Sequence, residues 1–227
     1  MHELDAINEN GIALIPEVLA RNEVGMLLRR LETSSLRRSR AGVRHLMSND
    51  IVAELARDSR MLAIARSILG NTAFPFRATL FDKSPDANWL VVWHQDTALP
   101  LRARTELLGW GPWSVKDGIN YAHAPTDALE QVLALRVHLD DSTEENGPLR
   151  VLPGTHKLGV LSDEEVERLS RELKADDCLA STGSVLAMRP LLIHSSSKSQ
   201  TDLPRRVLHI EYAGSASVGD GLELAIA

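Results

Sequence analysis

Trp89-Leu90-Val91-Val92-Trp93-His94-Gln95-Asp96 and, far down the chain, Leu191-Leu192-Ile193-His194 decide how this sequence is read. Each is a short apolar run that closes on a histidine, the pattern of a buried strand. Side chains alternate faces along a strand, so His94 and Asp96 point the same way, about 6–7 Å apart along the backbone. Two such side chains can chelate one metal ion between them. His194, at the end of the second run, is the candidate for a third ligand. Two imidazoles and one carboxylate make a facial triad, which leaves coordination positions open and suits non-haem Fe(II) oxygen chemistry. The fold this asks for brings two strand ends from distant parts of the chain to one place.

Before the motif the pattern is helical. Asp5 to Asn10 reads as a short helix, and Gly11 to Ile15 as a strand stopped by Pro16. Arg21 to Leu36 carries Val24, Leu27, Leu28 and Leu31 at the spacing of an amphipathic helix. Its other face is basic, with Arg29 and Arg30 continued by Arg37, Arg38, Arg40 and Arg44. Such a run can meet phosphates, but in an acidic chain it is ordinarily a solvated face. Asn49-Asp50 caps a helix over Ile51 to Arg57, and Ser59 caps another that ends at Leu69.

After Asn71 the period changes to two. Phe74 to Phe81 reads as a strand with Arg77, Thr79 and Phe81 on one face, and Pro85 to Asn88 as a turn. Leu99 to Ala128 is long and irregular, and it holds Trp110, Trp113 and His123. It directly follows the ligand pair, so a lid or binding loop is expected there. Leu129 to Asp140 is a strand with Arg136 and His138 on one face. Leu149 to Leu152, Ser184 to Met188, Leu191 to His194 and Arg205 to Tyr212 are further strands, and Ser162 to Leu173 is a helix with a Ser162/Glu165 capping box. The tail from Gly214 to Ala227 has no clear pattern, and partial disorder is expected for it. Helices first, then many short strands between Gly/Pro turns, imply a mainly β barrel or sandwich with N-terminal helices. One domain is expected, with residues 1–72 mostly helical and packed on a barrel core over 73–213.

Composition removes several functional classes. The chain has 227 residues, 44% hydrophobic, with a formal net charge of −6, which argues against a general nucleic-acid binder. Cys178 is the only cysteine, so neither an internal disulfide nor a thiolate zinc site is available. The first residues lack a basic n-region and an apolar h-region, and no apolar run is long enough to span a membrane. A cytoplasmic protein with a small-molecule partner is the expectation.

One more residue bears on the triad. Arg205 heads the last strand, and Val207, His209 and Glu211 share its face. Polar groups on an interior wall are costly unless used or paired. An arginine beside a three-ligand metal would hold an acidic cosubstrate by its far end. On the residues alone, core or rim histidines with Asp96 in a turn remain the other reading.

The order of motifs resembles the phytanoyl-CoA dioxygenase family of Fe(II)/2-oxoglutarate-dependent oxygenases. The matching pieces are Trp93-His94-Gln95-Asp96, then Leu139-Asp140-Asp141 leading into Asn146-Gly147-Pro148-Leu149-Arg150-Val151-Leu152-Pro153-Gly154-Thr155-His156, then His194 with Ser196, then Pro204-Arg205-Arg206. The resemblance covers roughly Phe74 to Tyr212, and the Gly11–Glu17 segment before a helix also fits. It implies a double-stranded β-helix, a jelly-roll or cupin-like barrel, with iron at one mouth held by His94, Asp96 and His194. Arg205 would pair with the distal carboxylate of 2-oxoglutarate, with Ser196 beside it. Arg136 stands where the family often contacts the cosubstrate through a large apolar residue, a departure; Thr79 is a further candidate contact. The implied reaction consumes O2 and 2-oxoglutarate, releases succinate and CO2, and hydroxylates an unactivated C–H bond. Asp96 retains the carboxylate ligand that halogenases of the family lack, which favours hydroxylation. Trp110, Trp113 and His123 would face substrate. Two alternatives stay open: a cupin-like zinc or manganese enzyme that does without 2-oxoglutarate, and a non-catalytic small-molecule- or sugar-binding jelly roll.

Overall fold

A computed structural model describes residues 3–34, 42–84, 87–219 and 221–227. Arg37, Arg38 and Arg40 of the basic run, and Pro85 of the expected turn, lie outside the described residues.

The N-terminal part holds α1 (Glu3–Asn10), β1 (Ile12–Ile15), α2 (Arg21–Glu32), α3 (Asp50–Ala56) and α4 (Ser59–Leu69). The strand-rich part follows as β2 (Phe74–Lys83), β3 (Val91–His94), β4 (Ala98–Leu101), β5 (Trp113–Lys116), β6 (Ile119–His123), α5 (Thr126–Leu129), β7 (Val132–His138), β8 (Leu149–Val151), α6 (Asp163–Glu172), β9 (Asp176–Cys178), β10 (Val185–Met188), β11 (His194–Ser196) and β12 (Arg205–Ala213). Caps explain several boundaries. The Asn49 side chain accepts from the amides of Ile51 and Val52 at the head of α3. Ser162 and Glu165 close the expected capping box on α6. At α4 the cap is Asp58, whose carboxylate accepts from Arg60 N–H at 2.8 Å, so Ser59 is the first helical residue.

The strands form a five-stranded sheet in the order β1-β10-β7-β12-β2, a four-stranded sheet in the order β3-β11-β8-β9, and a three-stranded sheet β4-β6-β5. The first two face one another as a jelly roll. Leu149 and Val151 of the smaller sheet share an apolar cluster with Leu186 and Met188 of the larger. The larger sheet turns its other face to the helices: Leu133, Leu135, Val137, Leu208, Ile210 and Tyr212 pack with Val24, Leu27, Val52 and Met61. Alternation along β12 makes this possible. Leu208, Ile210 and Tyr212 go outward to the helices, while Arg205, Val207, His209 and Glu211 go inward.

Three expectations are corrected. Leu99 to Ala128 is ordered structure, since β5 and β6 fall inside it and β4 and α5 overlap its ends. Leu191 to Ile193 is a turn rather than a strand: Leu192 N–H bonds back to Arg189 O at 3.1 Å, and pairing starts at His194. The tail is also packed. Leu222, Leu224 and Ala227 are buried, and Ala227 exchanges backbone hydrogen bonds with Phe76 and Ala78 of β2 at 2.7 and 3.0 Å.

Candidate metal centre

His94 and His194 face each other in the register of β3 and β11, with ring centroids 4.2 Å apart. Asp96 reaches both. Its Oδ1 lies 3.7 Å from His94 Nε2, and its Oδ2 lies 3.5 Å from His194 Nε2. One donor atom from each of the three residues falls within 4.8 Å of the others. The imidazoles are oriented from behind: His94 Nδ1 lies 2.8 Å from Val92 O, and His194 Nδ1 lies 2.9 Å from Leu192 O. A carbonyl only accepts, so Nδ1 carries the proton and each Nε2 lone pair points into the site, as metal ligation requires.

The segment before His194 also fixes Asp96. Asp96 N–H donates to Pro190 O at 2.9 Å. The neighbouring Gln95 side chain donates to Leu191 O at 2.8 Å and Gly159 O at 2.9 Å, and accepts from Leu161 N–H at 2.9 Å. Burial pushes the Asp96 carboxyl up, but His194 and His94 outweigh it and hold it well below its usual range. Burial takes His194 down to about 4. On His94 burial acts the same way, but Asp96 prevails and raises it. A carboxylate, a neutral imidazole and a second imidazole aimed at one point fit a divalent transition metal. His194 is buried at 5% side-chain exposure, while His94 and Asp96 keep 36% and 28%, so the centre is open on one side.

Behind the triad lies a cavity of about 100 Å³ whose wall includes Lys83, Trp89, Arg136, Ser196 and Arg205. Arg205 Nη2 donates to Ser196 Oγ at 3.1 Å, and its Nε donates to Asn146 O at 3.2 Å. Lys83 Nζ donates to the same hydroxyl at 2.9 Å and also to Ser197 O. Ser196 Oγ in turn donates to Gly147 O at 2.9 Å. The Asn146-Gly147 turn must be glycine here. Gly147 has φ +69°, and a Cβ would stand 2.3 Å from Ser197 O.

Arg136 Nη1 donates to His209 Nδ1 at 3.1 Å, its guanidinium lies over Phe81 at 5.5 Å, and its buried Nε has no hydrogen-bond partner among the described residues. Burial, then Arg136, hold His209 far below its usual value, so it is neutral. Burial and then Arg136 lower Arg205 to about 10, which leaves it charged at neutral pH. Burial, then Arg205 and Arg136, lower Lys83 to about 7. Among the described residues, Asp96 is the only acid on the wall of this cavity. Buried like charges without counter-ions are unfavourable, and an acidic ligand relieves them.

The structure therefore brings His94, Asp96, His194, Arg205, Ser196 and Arg136 together. Thr79 sits on the inner face opposite His209 but does not line the cavity. Nor do the three lid candidates. Trp110 is buried in a second core with Leu99, Leu101 and Leu129. Trp113 lies against the Arg104 guanidinium at 5.9 Å. His123 is exposed, with Nδ1 2.6 Å from Thr97 Oγ1. Lys83 and Trp89 are the contributors that the sequence reading missed. Lys83 continues the Arg77-Thr79-Phe81 alternation by one step, past the point where the strand was expected to stop.

The profile of phytanoyl-CoA dioxygenase (PhyH) matches residues 7–207. The chain belongs to the phytanoyl-CoA dioxygenase family. It is 27% identical over 192 residues to an L-proline trans-4-hydroxylase from Streptomyces griseoviridis, covering 72% of this chain and 63% of that protein. It is 24% identical over 184 residues to an ectoine dioxygenase from Sphingopyxis alaskensis, covering 71% of this chain and 53% of that protein. The chain thus spans between about half and two thirds of these relatives' lengths. The fold matches that of EctD from S. alaskensis, solved with 2-oxoglutarate and 5-hydroxyectoine, at a TM-score of 0.69, 21% identity, and 92% and 74% coverage of the two chains.

Proposed function

We propose that this chain is a non-haem Fe(II)/2-oxoglutarate-dependent dioxygenase that hydroxylates an unactivated C–H bond of a small molecule. The observation that carries the reading is a metal-ready His94/Asp96/His194 set opening onto a cavity that gathers Lys83, Arg136 and Arg205. A zinc or manganese enzyme without an acidic cosubstrate would leave those cations unexplained.

Ferrous iron and 2-oxoglutarate, if bound there, would supply the electrons that activate O2 for hydroxylation of a C–H bond, with succinate and CO2 as co-products. His94, Asp96 and His194 would hold the metal. Arg205, Lys83 and Ser196 would hold the distal carboxylate of the cosubstrate, since both cations already converge on the Ser196 hydroxyl. Arg136 would contribute a further positive charge to the same anion. The buried side of the site, His194 with β11 and β12, excludes water, and the open side at His94 admits substrate.

The test is anaerobic reconstitution with Fe(II). Addition of 2-oxoglutarate is expected to give a weak visible charge-transfer band, and admission of O2 is expected to give succinate. Metal binding without the band would sink the 2-oxoglutarate assignment and revive the cupin-like alternative. Failure to bind metal would favour a non-catalytic binding protein.

A further inference from the structure

We propose that the substrate carries an anionic group, a carboxylate or a phospho group, received by Lys116 and Arg44 around Tyr121 on the far side of Asp96 from the cosubstrate cavity. This rests on the dioxygenase reading and adds the substrate class to it.

The inner faces of β2 and β12 run side by side as a lane with two polar ends. At one end Lys83 pairs in register with Arg205, and at the other Arg77 pairs with Glu211. The ends are about 20 Å apart along the strand, at roughly 3.3 Å per residue. The first end is the cosubstrate end. The second is reached from the metal through the chain itself: Arg77 Nη1 donates to Ala98 O at 2.8 Å, two residues beyond Asp96. A substrate that approaches the metal from the side away from Arg205 meets this second end.

The composition of that end selects the ligand. Arg77 is partly buried and Glu211 buried, and they bond through two nitrogens and two oxygens, so they neutralise each other and form a fixed base. On that base stands Tyr121, 3% exposed. Its hydroxyl lies 2.8 Å from His45 Nε2, and His45 Nδ1 lies 3.4 Å from Asp117 Oδ2. Lys116 Nζ sits 4.7 Å from the Tyr121 ring centroid, with the Arg77 guanidinium 5.9 Å from the same ring. Lys116 has no hydrogen-bonded acidic partner among the described residues, and neither does Arg44, the exposed neighbour of His45. Burial and then Arg44 pull the Lys116 ammonium below its usual value, and the Arg44 charge acts on His45 and Tyr121 as well.

Positive charge thus accumulates at this end, in a chain whose net charge is −6. Glu211 is consumed by Arg77, and Asp117, 3.4 Å from the His45 ring, offsets only one of the two charges of Lys116 and Arg44. Backbone geometry adds an independent sign. His45 has φ +59°, a left-handed conformation uncommon outside glycine. Such residues gather where ligands are clamped. Asp117, at φ +49°, is instead explained by the Asp117-Gly118 hairpin turn between β5 and β6.

The experiment is calorimetric titration of inorganic phosphate into the anaerobic Fe(II)/2-oxoglutarate enzyme, so that the cosubstrate end is already filled. Saturable binding is expected, weakened about tenfold or more in the Lys116→Gln/Arg44→Gln double variant. Absence of saturable binding, or equal binding by both proteins, would overturn the proposal. A succinate-release screen with matched acids and amides, L-proline against L-prolinamide and methylphosphonate against its neutral dimethyl ester, distinguishes carboxylate from phospho sources. Stimulating compounds are expected to be acids whose KM rises in the double variant. A neutral compound that stimulates, with KM equal in both proteins, would equally refute the idea. Absence of the 2-oxoglutarate visible band would instead refute the dioxygenase reading, so the two failures are distinguishable.

Discussion

Strand β12 has two faces that are buried to the same depth and built on opposite rules. Leu208, Ile210 and Tyr212 have 0% exposure and point to the helices. Arg205, His209 and Glu211 have 4%, 4% and 2% and point into the barrel. Burial therefore does not tell a stabilising face from a functional one. The polar atom of the outward set, the Tyr212 hydroxyl, donates to Ala56 O at 2.8 Å. The inner wall, by contrast, leaves Arg136 Nε and both ring nitrogens of His138 without partners among the described residues. A buried polar group without a partner costs about 1–3 kcal/mol, so such a wall is not built for stability. The outer face is finished by the fold alone, and the inner face leaves polar atoms over.

The contrast can be broken first at the metal. Asp96→Ala removes the carboxylate from a three-ligand set, and a fall in succinate formation of about a thousandfold or more is expected. Circular dichroism should remain that of the wild type, because Asp96 belongs to none of the apolar clusters. If activity persisted, the triad would not be the centre. Next is Arg205→Ala. Loss of a buried, charge-assisted pair is expected to weaken 2-oxoglutarate binding about a hundredfold, read by calorimetry. Metal affinity should be nearly unchanged. An unaltered cosubstrate affinity would remove Arg205 from its role.

A smaller effect is expected from pH. Lys83 has been brought to about 7 by burial, Arg205 and Arg136. An anionic cosubstrate binds the protonated form, so affinity is present below that value and declines as pH rises through it. About a tenfold loss per unit is expected above it, until deprotonated enzyme binds without help from Lys83. Lys83→Met should bind more weakly below pH 7 and show a flatter profile. A wild-type profile already flat from pH 6 to 9 would count against Lys83 as a contact.

The motif residues were legible because their geometry is local. A His-x-Asp on a strand end shares a face whatever the rest of the barrel does, and the Asn146-Gly147 turn announces itself by a conformation only glycine tolerates there. Arg205 was legible because a charge at the head of an apolar strand needs a reason. Lys83 was not, since its partner Ser196 is remote in sequence and the alternation had been stopped at Phe81. Trp110 misled for the opposite reason: an aromatic beside a metal motif suggests a lid, yet its indole fills a core completed by Leu222 and Leu224 of the tail. Packing among distant segments carries no periodic signature, so neither the tail nor the second core could be read in advance.

The smallest effects give the sharpest form of the comparison, because one polar group can be removed from each face of the same sheet. Tyr212→Phe deletes a satisfied hydroxyl from the outer face and is expected to destabilise by about 1 kcal/mol in denaturant unfolding. His138→Leu deletes two unsatisfied nitrogens from the inner face, and no loss or a gain of about 1 kcal/mol is expected at pH 7. The two variants should also differ in pH response. Burial, with Arg136 and Arg205 nearby, takes His138 down to about 3, whereas an unfolded histidine titrates near 6.5. Between those values the unfolded chain binds the proton and the folded chain does not, so stability declines as pH falls from about 6.5 toward 3. His138→Leu removes one such group and should reduce that slope by about 1.4 kcal/mol per pH unit, while Tyr212→Phe should leave it as it is. Equal slopes in wild type and His138→Leu would mean that His138 finds a proton acceptor inside the barrel, and that the inner face is satisfied without a ligand after all.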